Sequence, residues 1–399
     1  APHSQSCELN SGRSPMDRRQ VIKSGLALPL TLAGSAQGQH AKGQHAQGQQ
    51  AQGQQAQGQQ AQGPQPKGQQ TRGQDPVFIA DMHYHLLFLG PKPASTQPLG
   101  PNMAGGQATL VAWSLVGDLP WLAITPRGFK QKGVPKSGEA HKWLQEEVER
   151  VKAHIMTQKL KIATLPDHVD AALKGDPHVV LAVEGASFVD DGIAQLQLAY
   201  DMGIRHIQLV HYTRNVIGDF QTEPPRLGGL TDLGKTVVAE CNRLGILIDL
   251  AHATSEAVTQ ALAISKVGMV WSHSSVTKTR KPQWTMAVTQ SRQLAFEDAQ
   301  AIAAKGGVVG LWALGSDVGA TPEAYAERLS EMADWLGEDH AAFGTDMNAL
   351  AAPALTKFSD LRRVVEHWQR RGMSEVRIRK LAIANYARVL RQAMAAREV

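Results

Sequence analysis

Six apolar runs along the chain each end in residues that can bind a metal or move a proton. The run at 77–81 leads into Asp81-Met82-His83-Tyr84-His85, and the run at 179–184 ends in Glu184. Those at 205–211, 246–250 and 268–272 deliver His211, His252 and His273, and that at 341–345 delivers Asp346. Imidazole nitrogen and carboxylate oxygen are the donors zinc accepts where no thiolate is offered. In an extended segment residues i and i+2 face one side, so His83 and His85 can point into the same space. A carboxylate such as Glu184 can bridge two ions, reducing their mutual repulsion and holding an activated water between them. One histidine beside a strand is more often a hydrogen-bonded surface or core residue. Six such endings in register match the ligand chemistry of a two-metal hydrolase.

The elements that must position these residues follow a regular grammar. Eight candidate strands run over 77–81, 108–116, 179–184, 205–211, 246–250, 268–272, 307–312 and 341–345. Helical stretches at 139–162, 190–202, 231–244, 255–266, 297–305 and 322–336 lie between most of them. The apolar runs are unbroken rather than alternating, as strands covered on both faces require. The pattern predicts an α/β fold, a (β/α)8 TIM-type barrel, with its chemistry at the carboxyl ends of the strands. An open doubly wound sheet is the alternative, but no glycine-rich phosphate loop follows the first strand. Two closing helices are expected over 357–371 and 374–398, separated by a stop at Gly372.

The totals bound the rest. The chain has 399 residues, 42% hydrophobic, with net charge +5 and pI near 9.1. No basic stripe interleaved with aromatics is present, which speaks against nucleic acid as a partner. No apolar run reaches 18 residues, so no membrane span is expected in the mature form. Cys7 and Cys241 are the two cysteines and offer neither a disulfide framework nor a thiolate cluster. Residues 1–36 read as a leader, with Met16 a candidate initiator. Arg18-Arg19 before the apolar run 25–36 suggests a twin-arginine export signal, hence the twin-arginine machinery as a partner and a periplasmic or secreted location. Residues 37–75 repeat Ala-Gln-Gly-Gln-Gln and have almost nothing to bury, so they read as a flexible spacer before a hydrolase barrel over 76–399.

Over residues 77–392 the chain resembles the membrane (renal) dipeptidase family of zinc peptidases. The most specific motif is Gly229-Leu230-Thr231-Asp232-Leu233-Gly234-Lys235, running on through Cys241-Asn242-Arg243-Leu244-Gly245 to Asp249-Leu250-Ala251-His252. Val183-Glu184-Gly185, Ser272-His273-Ser274, Gly344-Thr345-Asp346 and Asn385-Tyr386 support it. The resemblance implies two Zn2+ ions per chain, one on His83 and the residue at 85, the other on His252 and His273, with Glu184 as the bridge. It implies that His211 steadies an oxyanion, that Arg292 receives a substrate carboxylate, and that Asp346 shuttles a proton to the leaving amine. A homodimer is an option the family offers. The family has aspartate where this chain has His85 and glycine where it has Met82. The first change removes a negative charge and leaves metal identity open; the second adds bulk next to the ligands.

Asp249 reads as a support for the strand end or for a neighbouring histidine, and Asp219 and Asp317 as turn residues. His141, His154, His168, His178 and His206 read as solvent-facing, and Trp113, Trp121, Trp271 and Trp312 as core or pocket wall. The leading expectation is an exported metal-dependent dipeptidase that cleaves a small peptide-like substrate through a metal-activated water. A specialised amidohydrolase for one metabolite or maturing peptide, and a non-catalytic metal-binding barrel, are the alternatives.

Overall fold

A computed structural model describes residues 76–86, 98–125, 128–278 and 291–398. The expected leader and spacer lie outside these residues. From Val77 onward the chain forms one contact unit. Eight parallel strands pair in chain order: β1 (Ile79–Tyr84), β2 (Ala108–Val116), β3 (His178–Glu184), β4 (Ile204–Gln208), β5 (Leu247–Asp249), β6 (Val270–Trp271), β7 (Val308–Leu311) and β8 (Ala341–Phe343). Just past the ends of β8 and β1, Tyr84 bridges Met347, His85 N donates to Met347 O, and Asp346 N donates to His83 O. The result is a nearly closed (β/α)8 barrel, and each of the eight expected runs overlaps one of its strands.

Local signals explain where the helices begin and stop. Thr231, Thr254 and Thr321 cap the helices Asp232–Leu244, Ser255–Ile264 and Pro322–Leu336, their hydroxyls accepting from Gly234 N, Ala257 N and Ala324 N. Such a cap is worth about 1 kcal/mol. Gly245, at φ 74°, ends the first of these in the left-handed conformation that glycine adopts without strain. The sequence pattern missed the short helices Leu99–Gly106 and Pro166–Leu173. It also missed the antiparallel hairpin of Leu122–Thr125 with Gly128–Gln131, which follows β2.

Alternation along the strands divides the core. Ile79, Val111, Val179, Leu181, Val183 and Ile248 belong to the cluster between strands and helices. Ala80, Met82, Leu110, Ala112, Val180, Ala182, Leu247, Val270, Val308 and Ala342 belong to a second cluster inside the barrel. Ile383, Tyr386, Leu390 and Ala393 of the closing segment join that cluster and plug the barrel. Two residues further along the same inward rows stand Ser114, Glu184, Asp249 and Ser272, all buried. The interior therefore passes from apolar to polar towards the carboxyl ends.

The first strand breaks this rhythm where the chemistry begins. Its pairing with β2 is irregular between Asp81 and Tyr84. Such an irregularity re-aims side chains, and here Met82 and His83 both turn inward while Tyr84 packs outside. Met82 is fully buried and reaches the space left by Gly310, where a Cβ would lie 2.7 Å from its Cε. The bulk expected beside the ligands is thus spent in filling the barrel core.

Gly310 and Gly344 serve close approach. A Cβ on either would meet the Ser272 carbonyl oxygen, at 1.9 and 1.6 Å respectively. Neither can give way without shifting the end of β6 and the residues Ser272 and His273 that follow it. Gly344→Ala is therefore expected to cost at least about 1–3 kcal/mol, the range for overpacking a well-packed core. A urea titration followed by circular dichroism should show an earlier midpoint; an unchanged midpoint would show that β6 and β8 are not locked in this way.

Candidate metal centre

Four imidazoles and two carboxylates meet above the polar end of the barrel. His83 Nε2 lies 3.1 Å from His85 Nε2 and 3.3 Å from Glu184 Oε1. His85 Nε2 lies 3.5 Å from Glu184 Oε2 and 3.3 Å from Asp346 Oδ1. On the other side, His252 Nε2 and His273 Nε2 are 3.1 Å apart and stand 3.4 and 3.5 Å from Glu184 Oε1. Glu184 thus lies between two histidine pairs, one oxygen shared and one turned to His85. His83 with His85 and Glu184, and Glu184 with His252 and His273, each gather ligand atoms close enough to hold one ion. A third set, His83, Asp249 and His273, lies among the same side chains. All of these residues are buried, at 3% exposure or less for the five around Glu184.

The donor chemistry fits a pair of divalent cations. His85 Nδ1 lies 2.9 Å from the Ser114 carbonyl oxygen, which only accepts, so Nδ1 carries the proton and Nε2 presents a lone pair. His83 Nδ1 lies 3.1 Å from Ser114 Oγ, and His273 Nδ1 lies 2.8 Å from Ser272 Oγ. Paired Nε2 atoms at about 3 Å can share at most one proton through a hydrogen bond, and a metal is what neutral imidazoles in that arrangement serve. Burial and the nearby Arg292 cation hold the pKa of His252 well below that of free imidazole. Burial and the neighbouring His83 do the same for His273. Burial works to raise the pKa of Glu184, but His211 and His83 outweigh it and hold the carboxylate well below its usual range.

Two further groups face this centre. His211 Nε2 is 3.4 Å from Glu184 Oε1, and its Nδ1 is 2.7 Å from Asp118 Oδ1. Asp118 is itself fixed by the backbone N–H groups of Tyr212 and Thr213. Burial disfavours charge on His211, yet Asp118 and Glu184 prevail and raise its pKa. Arg292 is 1% exposed; it donates to Gln221 Oε1, and its other terminal nitrogen is 3.1 Å from His273 Nε2. Gln221 is tied in turn to the His252 carbonyl through its backbone N–H, at 2.7 Å. Tyr212 stands edge-on to His211 and His252 and stacks on Phe129 of the hairpin after β2, at 5.1 Å. His252 and Asp346 hold left-handed backbones at φ 71° and 55°. Such strain costs of order 1–3 kcal/mol at a non-glycine residue and gathers at functional sites.

All eight residues singled out in the sequence, His83, His85, Glu184, His211, His252, His273, Arg292 and Asp346, come together here. Sequence reasoning overlooked Asp118, Gln221, Ser114 and Ser272. Asp118 follows β2 by two residues and had the same strand-end signal as the others, whereas Gln221 lies in a loop and carried none. His206 and His178 do not face solvent: they are 1% and 2% exposed. His206 lies on an inward row of β4, with Nε2 3.5 Å from Asp249 Oδ2 and Nδ1 3.1 Å from the Tyr386 hydroxyl. His178, at the start of β3, stacks on His168 at 5.3 Å. His141, His154 and His168 are partly buried rather than open to solvent. Asp249 accepts from the Ala251 and Ser272 N–H groups. Asp219 anchors its loop by accepting from Arg226, Leu227 and Gly229 N–H. Trp113, Trp121, Trp271 and Trp312 are buried.

The sequence model of the membrane dipeptidase family (peptidase family M19) matches residues 113–399. Dipeptidase verJ of Clonostachys rogersoniana is 28% identical over 218 residues, 53% of this chain and 54% of that protein. Dipeptidase tcpJ of Claviceps purpurea is 26% identical over 221 residues, 53% of this chain and 50% of its own. The chain thus spans about half the length of these curated relatives. Among solved structures, a metallo peptidase from Rhodobacter sphaeroides, liganded with a phosphinate mimic of the dipeptide L-Ala-D-Ala, aligns with TM-score 0.67 and 22% identity over 80% of this chain and 100% of that one. The probable dipeptidase PvdM from Pseudomonas aeruginosa aligns with TM-score 0.66 and 18% identity over 80% and 96%. The fold is common to this chain and the two solved structures. With the family's sequence model covering well over half of its length, the chain belongs to the membrane dipeptidase family, peptidase family M19.

Proposed function

We propose that this chain is a metal-dependent dipeptidase that hydrolyses the amide bond of a dipeptide or dipeptide-like substrate. The observation that carries the reading is the placement of Glu184 between two histidine pairs whose Nε2 atoms converge at 3.1 Å. Family membership and the dipeptide mimic bound by the similar Rhodobacter sphaeroides protein support the substrate class. His83 and His85 would hold one ion, His252 and His273 the other, and Glu184 both. Zinc suits this nitrogen and oxygen donor set. Bound there, the metal pair would supply Lewis acidity and an activated water.

The remaining steps belong to the chain's own side chains. Arg292, steadied by Gln221, receives the substrate carboxylate, a task for which a planar guanidinium is suited. His211, charged through its contact with Asp118, donates a hydrogen bond from Nε2 to the oxygen on which negative charge develops. Asp346 takes a proton from the attacking water and delivers it to the leaving amine nitrogen. Tyr212 stands edge-on to His252, and the Trp312 ring lies under the Arg292 guanidinium at 5.9 Å.

We further propose that residues 1–36 export the folded barrel through the twin-arginine route, that 37–75 act as a spacer, and that the enzyme works outside the cytoplasm. A narrower substrate range remains a second reading, favoured by His85, whose imidazole stands 3.3 Å from Asp346 in place of a further carboxylate.

Two variants test the roles. Glu184→Gln is expected to abolish metal retention and to lower dipeptide turnover at least about 1,000-fold; near wild-type hydrolysis of a dipeptide panel would sink the reading. Asp118→Asn removes the charge that keeps His211 protonated. It should lower kcat by about 100-fold, the scale of one oxyanion donor, while KM changes little. Because Asp118 raises the pKa of His211, the loss should deepen as pH rises towards 8, where the unassisted imidazole is neutral. A loss that does not vary between pH 6 and 8 would contradict the role given to His211.

A further inference from the structure

Beneath the two histidine pairs lies one hydroxyl that touches both. Ser272 is fully buried, and its Oγ is 2.8 Å from His273 Nδ1 and 3.2 Å from His83 Nδ1. These histidines belong to different pairs around Glu184, and their rings approach to 3.9 Å between centroids. A serine hydroxyl has one hydrogen and two lone pairs. Where the hydrogen goes decides which tautomer the two imidazoles adopt.

The backbone that carries this hydroxyl is held from below. Asp249 receives the Ser272 backbone N–H at 3.0 Å and so fixes the serine where it stands. The carboxylate is also held by Ala251 N–H at 2.9 Å and faces His206 Nε2 at 3.5 Å, with no route to solvent at 1% exposure. The two lone pairs of Ser272 Oγ can accept from both histidines at once, with its hydrogen directed away from them. For each Nε2 to present its lone pair towards Glu184, each Nδ1 must carry its hydrogen, and Ser272 Oγ is the acceptor they share. Ser114 Oγ also reaches His83 Nδ1, at 3.1 Å, but it touches only that side of the centre.

We propose that Ser272, oriented by Asp249, is a positioning residue that fixes the tautomers of His83 and His273 together and so couples the two metal positions. This rests on the metal-binding reading given above. Its consequence is that both positions lose affinity when one oxygen atom is removed, although Ser272 ligates neither ion.

The test is a titration of the metal-free full-length chain with Co2+, followed by its visible absorption and by competition with a chelator. The wild type is expected to take two ions. Ser272→Ala should weaken both by about 10–100-fold, the scale on which partners of ligating histidines act, whereas Ser114→Ala should weaken only the position served by His83 and His85. Equal affinities for Ser272→Ala and wild type, or loss at one position alone, would overturn the coupling while leaving two-metal binding intact. A wild-type chain that takes no ion would overturn the metal-binding reading instead. Should Ser272→Ala fail to fold, long-range 1H–15N spectra of the metal-free wild type at pH 8 decide the matter: His83 and His273 as Nδ1–H tautomers support the proposal, and Nε2–H on either overturns it.

Discussion

One buried carboxylate sets the terms for the rest of this molecule. Glu184 is 3% exposed, and an ionised carboxylate so far from water is costly unless opposite charge or donors surround it. Its oxygens have five imidazole nitrogens within 3.5 Å, contributed by β1 and by the turns that follow β1, β4, β5 and β6. Four of those five neighbours are fixed from behind: His85 by the Ser114 carbonyl, His211 by Asp118, and His83 and His273 by Ser272. The centre is thus a set of nitrogen donors aimed by oxygens, and the barrel exists to hold those oxygens in place.

The cost of that aim is visible in the backbone. Met82 and His83 both turn inward because β1 loses register with β2. His252 and Asp346 sit in left-handed conformations, and Gly310 and Gly344 give up their side chains so that β7 and β8 can close on the Ser272 carbonyl. The plug formed by Tyr386, Ile383 and Leu390 fills the far end of the barrel, leaving the polar end for chemistry.

Most of the barrel was legible because its signals are local and repeated. Unbroken apolar runs such as Val179–Val183 and capping threonines such as Thr231 state where strands end and helices begin. The candidate centre was legible for the same reason: a histidine or carboxylate at a strand end needs no partner in sequence to be noticed. What escaped takes its role from long-range contact, and Asp118, although it stands at a strand end after β2, shows that role only through its partner. Asp118 and His211 are 93 residues apart, Arg292 and Gln221 are 71 apart, and Ser272 and His83 are 189 apart. His206 was misjudged because a polar residue in a short strand looks exposed, whereas the inward row of β4 places it beside Asp249. Met82 was misjudged for the converse reason: its neighbours in sequence are site residues, but its neighbour in space is Gly310.

The most direct test of this account is elemental analysis of the purified full-length chain, counting divalent ions per molecule after removal of loosely bound metal. Two ions per chain, zinc foremost, is the result predicted by two histidine pairs sharing Glu184. A chain that retains no divalent metal, yet hydrolyses dipeptides at the same rate with and without a chelator, would contradict it.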